Sequence, residues 1–221
     1  IKQWLSVEDA ANHLSTVFDE PVSAADILQL GLEGKLTLSV DLVNGAFANK
    51  GRMIPVDEGT FRETRALDGS KILLPRGVAL GDDRVIELDG EVHVIKGIWN
   101  LPMYGSEYSF VKNEYLRLIG GPRDDTLHLD GAFLIGASGE VFRLLDRFDD
   151  HYVKRMRALS GDVTLRKPRD YYPARSLPDD CILCVLTKSL MALEHSTCDP
   201  AVDSDVLPSG RTVSNFKSDK L

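Results

Sequence analysis

The densest set of possible metal ligands lies near the end of the chain, in the pattern Cys181-x2-Cys184-x10-His195-x2-Cys198. Three thiols and an imidazole at this spacing could close a tetrahedral zinc site. The residues around the first pair argue otherwise, because Ile182, Leu183, Val185 and Leu186 form an apolar run of the kind found in a buried strand. Positions three apart in a strand face opposite sides of the sheet, so Cys181 and Cys184 could not both reach one ion. The reading is two buried structural cysteines, with no metal and no cofactor expected. A second cluster, Asp146, Asp149, Asp150 and His151, sets carboxylates beside an imidazole and could hold a divalent ion, with a surface turn as the simpler reading.

Other chemistry is electrostatic. Between His151 and Arg175, seven basic residues (Lys154, Arg155, Arg157, Arg166, Lys167, Arg169 and Arg175) stand against Asp162 and Asp170. That stretch is +5 in a chain of −8, which leaves −13 for the rest. Tyr152, Tyr171 and Tyr172 share the stretch, so cations that neutralise phosphates coincide with rings that stack on bases. A solvated loop is the other reading. The overall negative charge works against nonspecific nucleic-acid binding at long range. Motifs for phosphate loops, dinucleotide binding, zinc proteases and nucleophile elbows are absent, and Gly136-Ala137-Ser138-Gly139 reads as a hairpin tip. His13, His93 and His128 fall in ordinary helix or strand contexts.

The elements that would position these groups begin with a helix over about residues 7–17, capped by Ser6 with Asp9 three residues on, and with Val7, Ala10, Ala11, Leu14 and Phe18 along one face. Asp19, Glu20 and Pro21 interrupt it. Ser23 and Asp26 repeat the cap before Ile27, Leu28, Leu30 and Leu32, and Gly34 stops the second helix. Leu36, Leu38, Val40 and Leu42 then alternate with polar residues as in a strand with one buried face. From about 44 to 100, short apolar runs divided by Asn44-Gly45, Asp68-Gly69 and Asp89-Gly90 predict antiparallel hairpins. The clearest is Arg84–Glu87 against Val92–Ile95. A helix over 107–119 ends at Gly120-Gly121-Pro122, and Ala132–Ile135 with Val141–Leu145 predicts a further hairpin. Residues 146–175 read as a loop-rich surface stretch, Cys181–Leu186 as a buried strand followed by a short helix, and the tail from Ser196 as mobile or held by a partner.

The opening segment, Trp4-Leu5-Ser6-Val7-Glu8-Asp9-Ala10-Ala11 through Gly34-Lys35-Leu36, resembles the helix-turn-helix start of excisionase-like and MerR-like winged-helix proteins over about 40 residues. Beyond it, Ile98-Trp99-Asn100-Leu101-Pro102-Met103, the Gly120-Gly121-Pro122 turn and Leu177-Pro178-Asp179-Asp180 resemble an uncharacterised family of proteobacterial genomes and prophage-like islands, over most of the chain. The first resemblance implies DNA contact through the second helix, whose only base-reading donors are Gln29 and, just beyond, Lys35, beside acidic Asp26 and Glu33. Any polyanion contact is therefore expected through residues 151–175 instead.

Together these readings predict an α+β protein with a helix-turn-helix-like unit over 1–43, an antiparallel α+β domain over 44–195 and a flexible tail over 196–221. No apolar run approaches the roughly 18 to 20 residues of a membrane span, and residues 1–9 lack the order of a signal peptide, so a cytoplasmic protein with no membrane partner is expected. The expected function is noncatalytic binding or regulation in a DNA-linked or mobile-element process, with a protein or nucleic acid as partner. An enzyme and an assembly protein are the alternatives.

Overall fold

Serines begin the first two helices as their spacing predicts. Ser6 Oγ accepts from the Asp9 amide at 3.0 Å at the start of α1 (Val7–Phe18). Ser23 and Asp26 form a reciprocal capping box at the start of α2 (Ala24–Leu32). Gly34, at φ 72°, closes α2 by letting the Lys35 amide turn back to the Leu30 carbonyl at 2.9 Å. The computed structural model describes residues 2–66, 68–81, 83–126, 128–149 and 170–198.

A short strand, β1 (Trp4–Ser6), precedes α1, and the 18-residue β2 (Leu38–Pro55) follows α2. The chain continues through β3 (Phe61–Arg65), β4 (Lys71–Pro75), β5 (Val78–Leu80), β6 (Arg84–Leu88) and β7 (His93–Asn100) to α3 (Ser106–Leu118). After α3 come β8 (Phe133–Ile135), β9 (Val141–Arg147), β10 (Tyr171–Pro173), β11 (Ile182–Leu186) and α4 (Thr187–Cys198). The fold is α+β, and no described helix is long and apolar enough to cross a membrane.

β2 organises the main sheet. Along one edge it pairs with β11 and then β9; along the other it pairs with β7 and then β6, all antiparallel. β7 meets β8 at Asn100 and Ile135, and β8 pairs with β9, so β2, β7, β8 and β9 close a ring. β1 extends the sheet beyond β11, β10 beyond β9 and β5 beyond β6, while β3 and β4 pair only with each other.

Four turn readings meet different fates. Asp68-Gly69 does turn the β3–β4 ribbon, and Ser138-Gly139 turns β8 into β9. Asn44-Gly45 does not reverse the chain: it is a register shift inside β2 between Leu42 and Ala46, and Gly45 at φ 81° takes up the irregularity. The expected pairing of Arg84–Glu87 with Val92–Ile95 is also replaced. β6 and β7 instead run one after the other along the same edge of β2, and residues 89–92 form an offset between them. A long neighbouring strand offered both arms hydrogen-bond partners that local turn chemistry could not reveal.

One hydrophobic cluster joins Leu14, Ile27 and Leu36 of the opening segment to Val40 and Leu42 of β2, Val111 of α3, Leu134 and Leu144, with half-buried Leu30 packed against it. The boundary expected between residues 43 and 44 therefore falls inside a strand and inside a shared core. The stretch read as loop from 146 contains the end of β9 and all of β10, and the tail expected from Ser196 begins as the last turn of α4. Residues 199–221 lie outside the described residues.

Candidate binding cleft

α3 is anchored at its start by its own Glu107. This carboxylate is fully buried; Oε1 accepts from the Tyr104 and Gly105 amides at 2.7 and 3.0 Å, and Oε2 accepts from the Phe133 amide at 2.8 Å. Burial pushes its pKa up, against the opposing pull of the Phe133, Gly105 and Tyr104 amides. Ser106 Oγ donates to the Ala174 carbonyl at 3.1 Å, tying the same helix end to the segment after β10. At the other end, the Gly120 and Gly121 amides return to the Arg117 and Leu116 carbonyls, and Gly120 at φ 69° makes that reversal possible.

The loop after α3 folds back onto the helix. Asn113 exchanges two hydrogen bonds with the Asp124 backbone, at 3.0 and 2.8 Å. Lys112 Nζ meets Asp124 Oδ2 at 2.6 Å, and Thr126 donates to Oδ1 through both its amide and its hydroxyl. Lys112 first and Thr126 second hold the Asp124 carboxyl well below the usual carboxylate range. On the opposite side, Leu177 is buried, the Ala174 amide bonds the Leu144 carbonyl, and Asn44 donates to Asp180, so residues 174–180 are pinned at both ends.

Between these walls opens a cleft of about 700 Å³. Most of its charges have an ion-pair partner: Lys112 pairs with Asp124, Arg117 with Glu114 at 2.8 Å, and, with both side chains exposed, Arg123 with Asp125 at 3.8 Å. Two exposed groups on the 175–179 side, the Arg175 guanidinium and the Asp179 carboxylate, make no ion pair with any described residue. On the α3 wall stands Ser109, only 9% exposed, with a buried Oγ that has no hydrogen-bond partner among the described residues. Buried hydroxyls are normally bonded, and leaving one idle costs free energy.

The residues singled out in the sequence fall in several places. Arg175 reaches the cleft, and Gly121 and Asp179 belong to the 120–122 and 177–180 segments that stood out as motifs. Tyr171 is a core residue, packed on Phe47 with ring centroids 5.0 Å apart, and Tyr172 packs on Phe148 at 4.8 Å. Their burial follows from the β9–β10 pairing and removes Tyr171 from any stacking surface. Lys154, Arg155, Arg157, Arg166, Lys167 and Arg169, with Asp150 and His151 of the acidic cluster, lie outside the described residues. On α2, Gln29 donates to Glu33 at 2.8 Å and Lys35 pairs with the same carboxylate at 2.7 Å, so both donors are engaged.

Cys184 is buried within β11 and half-buried Cys181 just precedes it; burial pushes their thiols up to about 12 and about 11. His195 lies on α4, and Cys198 ends that helix. Among the described residues the one cluster of metal-ligand types is instead Asp89, Glu91 and His93, at the offset between β6 and β7. Here the His93 ring contacts Asp89 Oδ2 at 3.0 Å and packs edge-on against Phe142.

Reading His93 alone missed this cluster, which forms at the offset between β6 and β7 where Gly90 takes φ 75°. Ser109 was missed as well. The available signal was Ser106, Ser109 and Asn113 at helical spacings of three and four, a polar stripe on a helix read only for its apolar residues. Compared with family models, curated proteins and solved structures, the chain matches none.

Proposed function

We propose that this chain is a noncatalytic binding protein that takes a polar ligand into the cleft beside α3. The observation that carries the reading is Ser109: a buried hydroxyl without a partner among the described residues, on the wall of a cavity whose size suits a small ligand. A bound molecule that reached Ser109 Oγ, an atom with almost no exposed surface of its own, would satisfy it. Among the described residues no base lies within hydrogen-bond reach of the same hydroxyl to activate it, which favours binding over nucleophilic chemistry. The test is a thermal-shift screen of small polar compounds on the full chain. Compounds acting through the cleft raise the melting temperature of the wild type and leave Ser109→Ala unmoved; if every stabilising compound acts equally on both, the reading fails.

A second reading keeps the helix-turn-helix-like unit and a regulatory role in a DNA-linked or mobile-element process. It is favoured by the β3–β4 ribbon, where Arg62, Arg65 and Arg76 make no ion pair with a described residue and stand beside exposed Phe61 and Leu73. Arginines beside exposed rings and alkyl groups suit phosphate contact and packing on bases. Engagement of α2 donors by Glu33 turns that role away from base reading by the helix. Duplex binding that weakens with salt and is lost on reversing the ribbon arginines would support it; no duplex binding at low salt would end it.

A further inference from the structure

We infer that the ligand of the cleft is a zwitterion of the amino-acid or short-peptide class, its anionic end on Arg175 and its ammonium end on Asp179. The inference rests on the cleft being a binding site at all, and it follows from which charges on its walls already have an ion-pair partner. Lys112, Arg117 and Arg123 each have a carboxylate partner, and Asp124, Glu114 and Asp125 are those partners. What is left is one cation and one anion, Arg175 and Asp179, four positions apart on a single segment and not paired with each other.

That segment is held in place. Its start is fixed by the Ala174 amide on Leu144, by Ser106 Oγ on the Ala174 carbonyl and by the Arg175 amide on Asp146 Oδ2; its end is fixed by Asn44 on Asp180 and by the Cys181 amide on the Pro178 carbonyl. Buried Leu177 lies between the two charges. Two opposite charges carried four positions apart on one held segment select a molecule that carries both signs. A singly charged ligand would leave one of them unmatched.

Guanidinium to carboxylate and carboxylate to ammonium are charge-assisted hydrogen bonds, stronger than neutral ones. Terminal carboxylates and amines are recognised this way in peptide sites. Ser109, one helical turn beyond Ser106, adds a buried neutral hydrogen-bonding group on the α3 wall, suited to a peptide amide or a side-chain polar group. Phe110 and Leu116 on the same wall provide apolar surface for an aliphatic portion.

The test uses the full chain and affinity selection with mass-spectrometric readout. The probes are a mixture of the free amino acids and a randomised tripeptide mixture, the latter with free termini, with acetylated amino termini, or with amidated carboxyl termini. Wild-type protein is expected to retain members of a free-ended mixture and to lose about 10-fold or more of that retention when either end is capped. Retention of amino acids, of tripeptides or of both tells which source supplies the zwitterion. Asp179→Asn should hold acetylated and free peptides equally, and Arg175→Gln should hold amidated and free peptides equally; both positions are exposed, and circular dichroism checks that the variants stay folded. Equal retention of capped and free peptides by the wild type, or no retention of any mixture, overturns the inference. A neutral or singly charged compound that binds in a Ser109-dependent way would then leave the binding reading standing, whereas no Ser109-dependent binding by any compound removes both.

Discussion

The Phe133 amide donates to Glu107 Oε2 across 26 residues of sequence, at 2.8 Å, and so joins the first turn of α3 to β8 beneath the cleft. Glu107 serves three backbone donors at once, and only a side chain with two acceptor oxygens can do so. Glu107→Gln keeps one oxygen for Tyr104 and Gly105 and turns an amide N–H group toward the Phe133 N–H. The variant should lose about 1 to 3 kcal/mol of stability, read from urea unfolding. An unchanged midpoint would mean that the buried carboxylate does not clamp these elements.

Asp124 gives the cleft loop a defined acid limit. Its carboxyl is depressed in the folded state by Lys112 and Thr126, so its contribution is present above the unfolded value of about 3.9 and is lost as the pH falls through the folded one. Melting temperature should therefore fall more steeply below about pH 4 in the wild type than in Asp124→Asn, with no difference in slope above about pH 5. Parallel curves throughout the acid range would contradict the Lys112–Asp124 geometry.

Leu14 has no solvent exposure, whereas Leu30 is half-buried at the edge of the same cluster. Leu14→Ala should cost about 2 to 5 kcal/mol, and Leu30→Ala distinctly less. Because the cluster spans the opening helices and the sheet, both variants should unfold in one transition. Separate transitions for the first 43 residues and the remainder would restore the boundary that the shared core removes.

The two cysteines near β11 should resist alkylation while the protein is folded. Burial raises both thiols, Cys184 to about 12 and Cys181 to about 11, and the thiolate is the reacting form. At about pH 8.5, where a free cysteine is half ionised, iodoacetamide should modify Cys184 only after denaturation and Cys181 slowly before it, as read by peptide mass spectrometry. Rapid labelling of Cys184 in the native protein would contradict its place in the sheet.

Local signals carried the sequence reading where the determining contacts were local. Ser6 with Asp9 and Ser23 with Asp26 marked the helix starts because capping acts over three residues, and Gly120-Gly121 marked the end of α3 for the same reason. The pairing of β6 and β7 was not legible, because β2, some 29 to 61 positions away, supplies the partners for both. Tyr171 looked like a surface ring from its polar neighbours and is buried by Phe47, more than 120 positions earlier. The cleft was the least visible feature: Arg175 was noticed for charge alone, and the significance of Ser109 depends on what fails to reach it in three dimensions.

That idle hydroxyl also sets the most direct test. On the proposed reading, a buried Ser109 Oγ with no partner among the described residues is a cost that the fold carries for the sake of a ligand, so removing it should help the empty protein. Equilibrium urea unfolding of wild type and Ser109→Ala, without any added ligand, is the measurement. The variant should be more stable by about 1 kcal/mol, beyond the roughly 0.5 kcal/mol that alanine's helix preference alone supplies. A variant less stable than the wild type would show that Ser109 Oγ already has a partner within the fold, and the cleft would lose its claim to be a binding site.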